Sequence, residues 1–166
     1  MKGAIIITKT EKAIEACESV LEGFELETMS VSSALLQCLR IARLSNDEEA
    51  IQWLQYEYGG YPTESNGFLT KEAYELGIKY GRKIINKDSE QMFSDLASEL
   101  EETIKSCNNA IKNFSTSGAS VSGEWAMAAM NNLTNSVAKN TGALIQQIKK
   151  ADRELAILKG QYYDYA

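Results

Sequence analysis

Apolar residues recur along this chain at the three- and four-residue steps of amphipathic helices. Thr8 and Glu11 form a capping-box pattern, after which Ala13, Ile14, Cys17, Val20, Leu21 and Phe24 mark one face. Gly23 weakens the end of that helix. A second helix is predicted from about Thr28 or Ser30, with Val31, Leu35, Cys38, Ile41 and Ala42 on one face and Leu36 and Leu39 broadening it. A face that wide must meet several neighbours. Ser45 with Glu48 reads as the capping box of a third helix, and Asp47, Glu48 and Glu49 suit the positive end of its dipole. That helix is predicted to run to about Tyr58, where Gly59 and Gly60 supply a left-handed stop and Pro62 prevents resumption.

Residues 61–69, YPTESNGFL, read as a loop, and Thr70 caps a fourth helix with Ala73, Leu76, Tyr80 and Ile84 facing inward. Asp88 and Gln91 frame the next start. Phe93, Leu96, Leu100, Ile104, Cys107, Ile111 and Phe114 then form a near-heptad seam. The stretch STSGASVSG at 115–123 is small, polar and flexible in character. The seam resumes with Met130, Leu133, Val137, Thr141, Leu144, Ile148, Ala151, Leu155 and Leu158. An unbroken helix there would be roughly 50 Å long at about 1.5 Å per residue. Thr141, beside Asn140, is a polar break of the kind that sets register or oligomer state. No run alternates with the period of a strand, and Ile5–Thr8 reads as a lead-in to the first helix. The expectation is an all-α fold. A cluster of short helices over 1–87 is followed by a long antiparallel helical hairpin, 89–114 against 123–159, and residues 88–166 with their tyrosine-rich tail pack with the cluster as one globular unit.

The chain has 166 residues, enough to bury a core, and one proline. Its net charge of −6 opposes a nucleic-acid surface, which needs clustered Lys and Arg. Lys79, Arg82, Lys83 and Lys87 are spaced like a helix face and read as a solvated one. The apolar run Ala4–Ile7 is too short for a signal peptide, and no stretch approaches a membrane span. A cytoplasmic protein without membrane contact is expected. The three cysteines form no CxxC and fit free thiols in a reducing compartment.

The chain has no histidine. That excludes Ser-His-Asp and Cys-His catalysis and removes half the vocabulary of zinc sites. Neither GxxxxGK[ST] nor GxGxxG occurs, and no cofactor is expected. Asp47, Glu48, Glu49 and Glu57 are the carboxylates that could do acid–base work or hold a metal, and a phosphoesterase would bind Mg²⁺ or Mn²⁺ through Asp47, Glu48 or Glu57, although the first three are explained by their place at a helix start. Trp53, Glu57 and Tyr61 stand at i, i+4 and i+8, beside Ala50 and Leu54. A carboxylate on such a stripe is partly buried and needs a partner. Arg40 and Arg43 are the nearest candidates along the chain, and the pair would fix two helices in register. A ligand-facing Glu57 between aromatic walls is the functional alternative. The tail GQYYDYA adds Tyr162, Tyr163 and Tyr165, which either fold back on the bundle or dock into a partner or a second copy. The candidate binding residues are therefore Trp53, Glu57, Tyr61, Tyr162, Tyr163 and Tyr165, with no catalytic residue and no metal ligand among them.

The segment LRIARLSNDEEAIQWLQYEYGGY resembles the N-terminal signature of AbiTii, a bacterial abortive-infection domain. In that signature a leucine-rich helix ending L-A-x-x-L is followed by a polar turn and then W-x-x-x-E-L-x-G-Y. Ile41, Ala42 and Leu44 stand for the first part. Trp53, Glu57, Gly60 and Tyr61 stand for the second, with Tyr58 in place of the usual Leu. Pro62 follows at once, and the family's frequent Tyr-Arg dipeptide is absent. The resemblance implies a toxin-like or sensing role that halts a phage-infected cell, and it transfers no catalytic residue. The resulting expectation is a non-enzymatic interaction module that binds a protein partner or associates into a homo-oligomer. The competing expectations are a metal-assisted phosphoesterase or other toxin enzyme, and a structural adaptor bundle unrelated to defence.

Overall fold

Local signals set the helix starts. Thr8 accepts from Glu11 N while the Glu11 carboxylate accepts from Thr8 N, a complete capping box. Ser30 and Thr70 cap the second and fourth helices by the same kind of hydroxyl-to-amide bond. The computed structural model describes residues 8–86, 89–116 and 124–166. Its elements, in chain order, are α1 Lys9–Glu25, α2 Val31–Ser45, α3 Glu48–Gly59, α4 Lys71–Lys79, β1 Lys83–Asn86, β2 Ser89–Met92, α5 Ala97–Thr116 and α6 Glu124–Tyr165. The fold is all-α apart from one small antiparallel hairpin, in which Lys83 pairs with Met92 and Ile85 with Glu90. The Ala4–Ile7 run, Lys87, Asp88 and residues 117–123 of the small polar stretch lie outside the described residues, as do the side chains of Phe114, Met130 and Leu133.

Four boundaries differ from the sequence expectation. Asp47, not Ser45, caps α3, accepting from Ala50 N at 3.0 Å. Ser45 is instead the last residue of α2 and turns its hydroxyl back to the Ile41 carbonyl at 2.9 Å. Asn46, at φ 56°, makes the left-handed reversal between the two helices. The fourth helix stops at Lys79 instead of continuing to Ile84. Gly81 takes φ 88° and donates to Ile78 O, and Arg82 N donates to Gly77 O at 2.9 Å. These are the two hydrogen bonds of a Schellman motif, and the left-handed position is the one a glycine fills at least cost. The region expected to begin the next helix is consequently the hairpin, and Phe93 and Leu96 precede α5 rather than belonging to its seam. At the other end α6 runs past 159 to Tyr165.

Two compact units divide the chain, one of residues up to Ser98 together with Leu155–Ala166, the other Glu99–Glu154. In the first unit α1 packs on α2, α2 on α3, and α3 on α4. Its core is Val20, Phe24, Leu35, Cys38, Ala42, Trp53 and Leu54, joined by Leu158 and Tyr162 from the end of α6. Lys159 Nζ donates to Phe24 O, and the Cys38 thiol donates to Tyr162 O, tying that end to α1 and α2. In the second unit Leu100, Cys107 and Ala151 are buried, and the Cys107 thiol lies 3.3 Å from Gln147 Oε1. All three cysteines are free.

Replacing Asp47 by alanine is expected to lower unfolding free energy by about 1 kcal/mol, the usual worth of a helix N-cap. Replacing Ser45 should cost less than half of that. Urea denaturation of both variants checks the assignment.

Candidate functional site

The i, i+4, i+8 stripe brings Trp53, Glu57 and Tyr61 together. Trp53 Nε1 donates to Glu57 Oε1 at 3.0 Å, and Tyr61 OH donates to the same oxygen at 2.5 Å. Tyr61 reaches back because Gly60, at φ 97° and ψ 150°, turns the chain directly after α3. Tyr162 OH donates to Glu57 Oε2 at 2.9 Å. The predicted stripe and the first tyrosine of the tail therefore meet on one carboxylate. Glu57 is buried, as are Trp53, Tyr61 and Tyr162.

The ion-pair partner of Glu57 is Arg82, whose Nε lies 3.2 Å from Oε1 with both side chains fully buried. This corrects the expectation of Arg40 or Arg43, which are exposed on α2. It also corrects the reading of Arg82 as part of a solvated helix face. The Schellman turn at Gly81 takes Arg82 off the helix and turns it inward. Its two terminal nitrogens donate to Phe93 O at 3.1 Å and to Asp95 O at 3.2 and 2.7 Å. The guanidinium stacks 4.6 Å from the Phe93 ring centroid and 5.2 Å from that of Tyr61. Four donors thus converge on Glu57, and three nitrogens of Arg82 are satisfied. A buried pair needs that completeness to offset the desolvation of two charges.

Aromatic rings close the site. Tyr80 stacks on Trp53 with centroids 4.0 Å apart and planes 2° from parallel, and Tyr165 meets Trp53 edge-on at 5.7 Å. Tyr80 OH also donates to Glu49, which pairs with Lys79. Tyr163 lies outside the cluster, 41% exposed, with its hydroxyl donating to Glu25. Of the predicted binding residues, Trp53, Glu57, Tyr61, Tyr162 and Tyr165 are brought together and Tyr163 is not. Arg82 and Tyr80 were missed as members. The Tyr80-Gly81 step is the signal that marks both, as a helix stop.

The arrangement is chemically closed. Asp47 caps α3, and Glu57 lies ten residues further along it, about 15 Å away at 1.5 Å per residue. Among the described residues no group of three or more acidic or thiol side chains is placed to hold a metal ion. A cavity of about 130 Å³ lined by Ser32, Ser33, Tyr58 and Glu57 is well below the roughly 300 Å³ of the smaller ligand pockets. Among the described residues no helix is long and apolar enough to cross a membrane.

Arg82→Met leaves Glu57 buried without its cation and is expected to cost about 3–5 kcal/mol. Combined with Glu57→Gln, the loss should be clearly smaller than the sum of the two single losses, measured by urea denaturation as a double-mutant cycle.

The tyrosines give an alkaline prediction. Burial, with the Glu57 charge added, pushes the Tyr61 and Tyr162 hydroxyls well above the ordinary value of 10.0. Burial, then the Asp47 charge, pushes Tyr165 up to about 12. Above the ordinary value the unfolded chain loses phenolic protons that the folded chain keeps. Stability is therefore complete below about pH 10 and falls as pH rises towards 12 and beyond. The phenolate absorbance of Tyr61 and Tyr162 should appear together with the loss of helical circular dichroism. Tyr162→Phe should make the fall with pH shallower.

The AbiTii family model matches residues 17–153 of the chain, including the whole of the α2–α3 segment and Arg82. No curated protein and no solved structure matches it.

Proposed function

The chain belongs to the AbiTii family of abortive-infection proteins, and from that premise we propose that it serves a bacterial anti-phage system as a non-enzymatic helical module. In this reading it acts in the cytoplasm, associating with itself or with a protein partner. Family membership supports the anti-phage part. One observation supports the assembly part. On α6, Val137, Thr141, Leu144 and Ile148 follow a heptad spacing and stay half-exposed, and Ile145 beside them is 39% exposed. A heptad stripe left in part to solvent is the surface by which helices pair. The polar Thr141 in its middle is the kind of residue that sets register. The closed donor set around Glu57 speaks for a fastening role of the signature residues and against the phosphoesterase alternative. The adaptor alternative differs in one outcome, protection against phage.

Light scattering on the full chain is expected to give a homo-oligomer. Val137→Glu with Leu144→Glu should reduce it to a monomer with unchanged helical content. In cells carrying the intact system, the same double substitution should abolish protection in a plaque assay. A wild-type monomer would remove self-assembly. Plaque counts unaffected by deletion of the gene would remove the defence role.

A further inference from the structure

The loop between α3 and α4 is a small, well-tied hairpin that holds an aromatic ring out to solvent. Thr63 bridges Leu69, Glu64 N donates to Phe68 O at 2.7 Å, and Gly67, at φ 83°, donates to Glu64 O at 2.9 Å. Thr70 N donates to Pro62 O at 3.0 Å, and the Asn66 side chain accepts from Phe68 N at 2.9 Å. With its backbone fixed in this way, Phe68 is 74% exposed. A ring so exposed adds little burial to the fold. Held in place beforehand, it loses little freedom when a partner covers it.

Glu64 stands opposite Phe68. The two form the pair next to the Thr63–Leu69 bridge, and residues directly opposite in an antiparallel pair point to the same side. Both line one open groove of about 670 Å³ in the first unit, with Leu69, Tyr74 and Met92. That volume is in the range of binding sites. Tyr74 is 42% exposed, while Leu69 and Met92 are half-buried. Among the described residues the Glu64 side chain accepts from Asn66 Nδ2 at 3.1 Å and has no ion pair. Lys71, also on the lining, is countered by Glu75 at 3.7 Å, so Glu64 is the charge left over.

We propose that this groove docks a basic and apolar segment of a partner protein, with an Arg or Lys side chain laid along Phe68 and Tyr74 and its charged end at Glu64. An aromatic face attracts a cation, and a carboxylate beside it sets where the charge comes to rest. Arg and Lys also carry a methylene stem that packs on a ring. Leu69 and Met92 offer the rest of the lining to a neighbouring aliphatic side chain, and methionine adapts to more than one shape. A free cation would fill a small part of 670 Å³, whereas an open groove of that size admits a chain running through it. The net charge of −6 draws a basic partner from a distance and opposes an acidic one. The site uses residues of the first unit alone, so it depends neither on pairing through α6 nor on the defence role.

The test is an amide-resolved NMR titration of the full chain with N-acetyl-leucyl-arginine amide. Saturable shifts centred on residues 64–74 are expected, with a Kd of about 1 mM for a probe this small. The neutral N-acetyl-leucyl-glutamine amide should bind at least about threefold more weakly, and so should arginine amide without the leucine. Added salt should weaken binding of the dipeptide. Glu64→Gln and Phe68→Ala should each weaken it about threefold and together about tenfold. The melting temperature should not change, because both side chains are exposed. Absence of a saturable shift up to about 10 mM would overturn the proposal. So would equal binding of the glutamine probe, or binding unchanged in the double variant. Arginine amide binding as tightly as the dipeptide would overturn it in favour of a small-cation site. Shifts of residues 64–74 on dilution of the chain alone would overturn it in favour of a second copy.

Discussion

The first unit of this protein depends on a charge pair placed where water cannot reach it. Glu57 and Arg82 are both fully buried, and each would be strongly destabilising alone. They are tolerated because their surroundings complete them. Trp53, Tyr61 and Tyr162 donate to the carboxylate, and two backbone carbonyls and two aromatic faces receive the guanidinium. Those groups come from several separate stretches of chain. The pair therefore joins α3, the turn after it, the end of α4, the segment after β2 and the last turn of α6. A polar network with all partners present specifies one geometry more narrowly than apolar packing does, because any shift strands a donor.

The parts of this that local spacing determines were legible in the sequence. Trp53, Glu57 and Tyr61 lie four apart, and helix geometry alone puts them on one stripe. The tyrosine-rich tail was visible as an apolar end in need of cover, although which of its tyrosines turns inward was not. The pair's other half was not legible, for a definite reason. Lys79, Arg82, Lys83 and Lys87 repeat at helical steps, and Ile84 continues the apolar face of α4, so periodicity carried the helix through Gly81. A glycine that accepts φ 88° ended it instead. The hairpin beyond is four residues a strand, too short for alternation to show. Ser45 and Asp47 are both good caps two residues apart, and the choice was made by Asn46 entering the left-handed region.

The AbiTii match places these observations in a family context. The resemblance rested on Trp53, Glu57, Gly60 and Tyr61, and these are the residues that build and reach the buried carboxylate. Their chemistry in this fold is to hold elements together, with Gly60 making the turn that lets Tyr61 return to Glu57.

Native-state hydrogen exchange resolved by residue tests the central claim most directly. If Glu57 fastens the end of α6 into the first unit, amides of Leu158–Tyr162 exchange only through global unfolding. They then show the same free energy of opening as core amides of α2 and α3. Exchange of the α6 end at a much lower free energy than that of α2 and α3 would contradict the account. It would mean that the Tyr162–Glu57 contact decorates the fold without holding it.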